Sequence, residues 1–242
     1  MTMETEIAKV REIAEKSQLR HIAFIMDGNG RWATRKGLPR EAGHKAGAET
    51  FRRVVRLCGD IGIDTVTVYA FSTENWRRPT VEVNAIMKLL EAYIRTAEEE
   101  DEENRTSYLF LGDKSALAPS LAKKCTELEE FTARYHRRLN IALNYGGRAE
   151  IVNACNKLIA QGKTCVTEDD ISAALYTAHQ NDPDLIVRTA GEYRLSNFLM
   201  WQSAYSELYF TDTLWPDYSF ADLAEAVEAF ARRTRRFGAV VQ

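Results

Sequence analysis

From residue 21 onward, short apolar runs rich in β-branched and aromatic residues alternate with longer segments whose apolar residues recur at helical spacing. The short runs predict strands over 21–26, 65–71, 107–111, 139–143, 185–187 and 206–210. The longer segments predict helices over 41–62, 81–103, 119–135, 148–159, 168–176 and 220–236. This alternation is typical of an α/β domain, in which helices flank a mostly parallel, six-stranded central sheet.

The domain organisation follows from length and from the absence of internal breaks. The chain has 242 residues, of which 45% are hydrophobic, and this is enough for one large core. No repeat or low-complexity linker divides it. We therefore treat residues 1–20, which mix acidic and basic side chains, as an N-terminal extension, and residues 21–242 as a single domain that carries the site.

Charge and cysteine usage exclude several classes of protein. The 32 Lys and Arg residues face 35 Asp and Glu residues, and this balance argues against a general nucleic-acid binder. The four cysteines show neither a C-x-x-C pair nor zinc spacing, which fits a reducing compartment. No leader with an apolar core and no membrane-spanning run is visible. The sequence predicts a cytoplasmic protein whose contact with a membrane would be peripheral.

The turn after the first predicted strand reads Asp-Gly-Asn-Gly-Arg-Trp-Ala over residues 27–33. Its glycines allow the backbone to approach a ligand closely. The carboxylate of Asp27 would repel a diphosphate unless a cation lay between them, so the turn favours a metal-bound diphosphate. A glycine-rich turn with a helix-capping Asp is the purely structural alternative.

The same turn also matches the dinucleotide-binding pattern through Gly28, Gly30 and Ala33, with Glu49 at the spacing of a ribose-binding acid. That pattern requires its acid at the end of a second strand. Glu49 instead falls inside a predicted helix, which weakens the hypothesis of a dehydrogenase.

Two further polar segments follow predicted strands. Residues 72–79 combine hydroxyls, an amide, a Trp and two Arg, and residues 188–197 place two Arg and a Ser around a glycine. Ligands of parallel sheets bind outside the carboxyl ends of the strands, so these segments and the 27–33 turn predict sites for two phosphorylated substrates. A capped turn and solvated arginines are the alternatives. Glu207, among aromatic residues, would be paired, metal-bound or at an edge.

Together these segments resemble the signature blocks of the cis-prenyltransferase family. The blocks lie at residues 21–33, 71–79, 143–148, 184–189, 194–198, 207–210 and 235–238, so the resemblance runs from residue 21 to residue 238, nearly the whole chain. The resemblance implies a Mg²⁺-dependent enzyme that condenses isopentenyl diphosphate with an allylic diphosphate such as farnesyl diphosphate. The implied product is a long-chain polyprenyl diphosphate such as undecaprenyl diphosphate, the precursor of a lipid carrier for cell-wall synthesis.

The resemblance also implies roles for individual residues. It assigns catalysis to Asp27 and Asn75, and Mg²⁺ binding to Asp27 and Glu207. It implies a homodimer in which the tail at 236–238 reaches the partner's site, and product release by peripheral membrane contact. The implied substrate-binding residues are Gly28, Asn29, Gly30, Arg31, Trp32, Arg40, His44, Ser72, Thr73, Glu74, Trp76, Arg78, Arg188, Arg194, Leu195 and Ser196.

An apolar tunnel for the growing chain is a further implication of the resemblance. The stripe along the predicted helix 81–103 would line it, although such a stripe is also typical of plain core. The six acids at 98–103 are either a solvated helix end or the edge of a lid. Ala190 departs from the family pattern, because Gly is common at that position.

Two related classes of protein fit the sequence less well. A trans-prenyltransferase would need Asp-Asp-x-x-Asp clusters, and Asp169-Asp170 lacks the second half of that motif. A non-catalytic subunit would have lost site residues that this chain retains.

Overall fold

A computed structural model gives the structure of the chain and describes residues 2–99 and 105–233. Its centre is a six-stranded sheet in the order β3-β4-β2-β1-β5-β6, and every neighbouring pair is parallel. The predicted α/β fold with a parallel central sheet is confirmed. The strands are β1 His21–Ile25, β2 Thr65–Ser72, β3 Thr106–Leu111, β4 Arg137–Tyr145, β5 Leu185–Arg188 and β6 Glu207–Phe210.

Eight helices of the described residues surround the sheet, joined by short 3₁₀ segments. The predicted helix over 81–103 is observed through Glu99 and the one over 220–236 through Ala231. Residues 100–103 of the acidic run and the tail at 236–238 lie outside the described residues. The helices are α1 Met3–Lys16, α2 Asn29–Arg35, α3 Arg40–Asp60, α4 Thr80–Glu99, α5 Pro119–Thr132, α6 Gly147–Ala160, α7 Glu168–Ala174 and α8 Phe220–Ala231.

The sheet has a hydrophobic core on each face, because successive residues of a strand point to opposite sides. In β1 all five residues are buried. Phe24 belongs to the larger core, whereas Ala23 and Ile25 belong to the smaller one. Strands covered on both faces in this way carry continuous apolar sequence, which explains why β1 could be predicted from the sequence.

Helix α1 was not predicted, because we assigned no secondary structure to residues 1–20. Thr2 caps its start, and Val10 and Ala14 are buried in the larger core. Lys9 Nζ lies 3.7 Å from Glu228 Oε1 on α8. The first helix is therefore packed onto the domain. In the described part of the chain, no helix is both long and apolar enough to cross a membrane.

Protonation of a buried histidine should make the fold sensitive to acid. His21 is 2% exposed, its Nε2 lies 2.7 Å from Thr67 Oγ1, and its Nδ1 lies 2.8 Å from the carbonyl oxygen of Asn181. Burial lowers the pKa of His21 to about 4. The unfolded chain has an ordinary histidine pKa of 6.5 and therefore binds more protons than the folded chain. Stability falls as the pH drops from about 6.5 to about 4.

The free energy of unfolding should fall between pH 7 and pH 4.5, and we expect this fall to be about 2 kcal/mol smaller in His21→Gln than in the unmodified protein. Urea unfolding of both proteins at the two pH values measures this. An identical pH dependence in the variant would contradict the assignment.

Candidate active site

A polar cavity of about 620 Å³ lies at the carboxyl ends of β1, β2 and β5. Loops after β1, β2, β4 and β5 and the starts of α3 and α4 form its walls. Ligands of parallel sheets bind at this edge. Twelve of the predicted site residues line it: Asp27, Gly28, Asn29, Gly30, Arg40, His44, Ser72, Glu74, Asn75, Arg78, Arg188 and Ser196.

Asp27 lies directly beyond the end of β1 and is held from both sides. Its Oδ1 accepts a hydrogen bond from the backbone N–H of Gly28 at 2.7 Å, and its Oδ2 accepts one from Arg188 Nη2 at 3.0 Å. Gly28 has φ 104°, and a Cβ on it would come within 2.9 Å of Leu214 Cδ2. The turn therefore requires glycine, and it presents a fixed carboxylate to the cavity.

Arg188 is a buried cation at the end of β5, with 3% of the residue exposed. Besides Asp27, it donates to Ser196 Oγ at 2.7 Å and to the backbone carbonyl oxygen of Arg194. Its Nε is buried and has no hydrogen-bond partner among the described residues. An arginine that lines the cavity fits an anionic ligand.

A second carboxylate, Glu82 in the first turn of α4, organises two arginines and a histidine. Its side chain is 5% exposed and accepts from Arg40 Nε at 3.0 Å and from Arg78 Nη1 at 3.1 Å, with His44 Nε2 at 3.0 Å. Burial raises the pKa of Glu82, but the hydrogen bonds from Arg40 and His44 and the charge of Arg78 outweigh it and lower the pKa to about 2. Glu82 therefore stays ionised and orients this wall.

The loop after β2 is fixed by its own side chains. The backbone N–H of Ser72 donates to Asn75 Oδ1 at 3.1 Å. Glu74 Oε1 accepts from Asn197 Nδ2 at 3.2 Å, which links this loop to the one after β5. The loops of three strands therefore meet around the cavity, as the sequence predicted.

Seven predicted site residues lie outside the cavity lining, and four of them are Trp32, Trp76, Thr73 and Leu195. The indole N–H of Trp32 donates to Asp217 Oδ1 at 2.7 Å, and that of Trp76 donates to Asn144 Oδ1 at 2.8 Å. Thr73 begins the 3₁₀ segment after β2, and Leu195 packs on the smaller core.

Arg31 and Arg194 also lie outside the lining, joined through a carboxylate that we did not predict. Glu192 is 3.2 Å from Arg31 Nη2 and 2.5 Å from Arg194 Nη1. Arg31 Nη2 is in turn 3.8 Å from Asp27 Oδ1. This ion-pair chain connects the two segments that the sequence assigned to different substrates.

The fold does not place Glu207 next to Asp27 of the same chain. It is the first residue of β6 and pairs with Leu185 at the start of β5, so it lies at the amino end of the strands. Asp27 follows the carboxyl end of β1. Glu207 Oε2 instead lies 2.6 Å from Arg233 Nη1.

An apolar cavity of about 220 Å³ adjoins the polar one, and both are lined by Met26, Asn29, His44 and Ile86. It lies between α3 and α4. The apolar stripe of α4 is divided: Ile86 and Leu90 line the cavity, whereas Val83 and Ile94 are buried core residues. Joined polar and apolar cavities fit a ligand with an anionic head and a hydrocarbon tail.

Asp27 offers one carboxylate to a Mg²⁺ ion at the edge of the polar cavity. No group of three His, Cys, Asp or Glu side chains suited to a metal occurs within residues 2–99 and 105–233. Mg²⁺ is commonly held by one or two carboxylates, with phosphate oxygens and water as the other ligands. One hard carboxylate beside arginines fits a Mg²⁺ ion that arrives with a diphosphate.

Comparison with known proteins agrees with this geometry. The model of the Prenyltransf family, the undecaprenyl diphosphate synthase family, matches residues 25–238. An isoprenyl transferase of Fusobacterium nucleatum is 49% identical over 93% of this chain and 98% of its own length. One from Chromobacterium violaceum is 48% identical over 90% of this chain and 88% of its own length.

Solved structures show the same fold. Lavandulyl diphosphate synthase from Lavandula x intermedia, in complex with dimethylallyl diphosphate, has a TM-score of 0.88 and 32% identity, covering 92% of this chain and 99% of that one. A probable undecaprenyl diphosphate synthase from Campylobacter jejuni has a TM-score of 0.76 and 32% identity, covering 91% and 98%. The predicted resemblance is confirmed: this chain belongs to the undecaprenyl diphosphate synthase family of isoprenyl transferases, and it is a prenyltransferase.

Proposed function

We propose that this enzyme condenses isopentenyl diphosphate with an allylic diphosphate, of which farnesyl diphosphate is the best candidate, in a Mg²⁺-dependent cis-prenyl transfer. Repeated condensation would give a long-chain polyprenyl diphosphate, for which undecaprenyl diphosphate, a lipid carrier precursor, is the proposed product. One observation carries this proposal: the Asp27–Arg188 pair lines a polar cavity that continues into an apolar one.

We assign a different substrate to each of the two walls of the polar cavity. We assign the allylic diphosphate to the 27–30 turn with Arg40 and His44, whose orientation Glu82 fixes. Isopentenyl diphosphate goes to Arg188 and Ser196. Both segments lie at the carboxyl edge of the sheet, so the reacting carbons can be held side by side, which lowers the entropic cost of the reaction.

The chemistry requires the C–O bond of the allylic diphosphate to break while the isopentenyl double bond bonds to the allylic carbon. That bond leaves a positive charge on the inner carbon of the former isopentenyl double bond. A proton then leaves the carbon next to it, a new double bond forms between these two carbons, and the released diphosphate can take the proton. When bound, Mg²⁺ supplies charge neutralisation at the departing diphosphate. Asp27 would hold that ion, and Arg40 and Arg78 would stabilise the developing charge. A neutral amide is a poor base, so we assign Asn75 to orienting the diphosphate or the proton.

The test is incubation of the purified chain with farnesyl diphosphate, radiolabelled isopentenyl diphosphate and Mg²⁺, with EDTA as control, followed by sizing of the products. Mg²⁺-dependent label in long polyprenyl chains is expected. No incorporation by folded protein would overturn the proposal.

Product length should depend on Tyr93, which lines both the apolar cavity and a third cavity of about 440 Å³, as do Glu49 and Arg52. Its ring centroid lies 4.8 Å from that of Phe51, which lines the apolar cavity, and 6.2 Å from that of Tyr108, which lines the third one. We expect Tyr93→Ala to join the cavities and lengthen the chains, whereas Tyr93→Phe keeps the wall. Chromatography of labelled products measures this, and equal lengths from both variants would contradict it.

We further propose that the protein is a cytoplasmic homodimer whose product leaves at a membrane surface. Support for the dimer comes from the resemblance and from Tyr193 and Tyr205, which are 73% and 69% exposed near the edge strand β6. Such exposed aromatics favour a protein interface. Light scattering after size exclusion gives the oligomeric state. We do not extend the Mg²⁺ proposal to Glu207, because this chain places it at the opposite end of the strands.

A further inference from the structure

Four arginines line the polar cavity, and three of them already have a carboxylate partner. Arg40 and Arg78 bind Glu82, and Arg188 binds Asp27. The fourth is Arg148, in the first turn of α6. Within the part of the chain that the structure describes, its guanidinium has no hydrogen bond and no ion pair. Arg148 therefore contributes a positive charge that no protein carboxylate offsets.

The backbone around Arg148 is fixed to the loop after β5. Its N–H donates to Asn197 Oδ1 at 2.9 Å, and the N–H of Gly147 donates to the carbonyl oxygen of Asn197 at 2.7 Å. Tyr69 on β2 has its hydroxyl 3.2 Å from the carbonyl oxygen of Tyr145 and 3.4 Å from that of Ser196. Arg148 thus belongs to the wall that carries Ser196, whereas α3 and α4 build the wall around Glu82.

We infer that Arg148 binds the diphosphate of isopentenyl diphosphate, beside Arg188 and Ser196. This inference rests on the proposed function. Arg188 lines the same cavity, and its buried Nε lacks a hydrogen-bond partner among the described residues, so two guanidinium groups of this wall face one anion site. Arginine's planar fork suits phosphate oxygens. Arg194, which the resemblance assigns to the same substrate, has a 60% exposed side chain that forms an ion pair with Glu192, whereas Arg148, also exposed, forms none among the described residues.

The test compares Arg148→Ala and Arg148→Lys with Arg56→Ala, which removes an arginine that lines the third cavity, of about 440 Å³. We expect Arg148→Ala to raise the KM for isopentenyl diphosphate about tenfold or more, the effect of losing a hydrogen bond to a charged group. The KM for farnesyl diphosphate should change less than twofold. Arg148→Lys should recover part of the loss, and Arg56→Ala should match the unmodified enzyme.

Because the Arg148 side chain forms no hydrogen bond or ion pair with the described residues, the thermal midpoint should stay constant in Arg148→Ala. An unchanged KM for isopentenyl diphosphate, an equal rise for both substrates, or a rise for farnesyl diphosphate alone would each overturn the inference. Equilibrium dialysis of radiolabelled isopentenyl diphosphate separates this from the proposed function. If the unmodified enzyme neither binds nor converts it, the proposed function fails. If it does both and Arg148→Ala matches it, only the role of Arg148 fails.

Discussion

Replacing Asp27 by asparagine is expected to lower kcat about a thousandfold while leaving the fold intact, an effect on the scale of losing a main electrostatic contact in a transition state. Asparagine has the same shape, and its carbonyl oxygen can still accept from the N–H of Gly28. It lacks the charge that would hold Mg²⁺ and that faces Arg188 at 3.0 Å. The loss is therefore electrostatic.

Initial rates at saturating substrates and a range of Mg²⁺ concentrations measure the effect, with circular dichroism as the check on folding. Asp64→Asn is the matched control, because Asp64 forms an exposed ion pair with Arg20 at 3.4 Å before the start of β2. Turnover within tenfold of the unmodified enzyme would show that Asp27 does not hold the metal or the diphosphate.

Replacing Arg188 by lysine is expected to lower kcat/KM about a hundredfold, although the charge is retained. The guanidinium of Arg188 donates hydrogen bonds to Asp27 Oδ2, to Ser196 Oγ and to the carbonyl oxygen of Arg194. Its Nε has no partner among the described residues. A lysine ammonium also has three N–H donors, but they all belong to one nitrogen and cannot reproduce the spacing of the planar guanidinium fork. The loop after β5 would lose its attachment to Asp27, and the isopentenyl site would lose its geometry.

Steady-state kinetics with each substrate varied in turn, together with denaturant unfolding, separate the catalytic loss from a loss of stability. Arg194→Lys is the comparison: its guanidinium is 60% exposed and bound to Glu192, so a much smaller effect is expected. If the two lysine variants lose activity equally, the buried fork of Arg188 has no special role.

The sheet was predictable because strands buried on both faces carry unbroken apolar sequence. The ends of the strands were less predictable. β4 was predicted over 139–143 but runs from Arg137 to Tyr145, because its polar first residues pair with the start of β2. Helix α1 was missed because only Val10 and Ala14 are buried along it. Glu49 lies inside α3, as predicted, which removes the dinucleotide pattern.

The site was predictable where polar residues directly follow a strand, since the sheet brings such turns together. It was not predictable where partners come from distant segments. Glu82 looked like an ordinary acid at the start of a helix, and nothing in the sequence shows that Arg40 and His44, on another helix, reach it. The position of Glu207 depended on the β5–β6 register, which places it at the amino end of the strands.

The strand order has a consequence during synthesis of the chain. β1 lies between β2 and β5, and the Asp27–Arg188 pair joins residues 161 positions apart. Until the ribosome has released β5, one edge of β1 has no neighbour, and an unpaired apolar edge is a template for aggregation. The polar cavity also does not exist in any shorter nascent chain. Binding competence therefore comes late in translation, and a slow ribosome prolongs the interval in which this strand depends on chaperones.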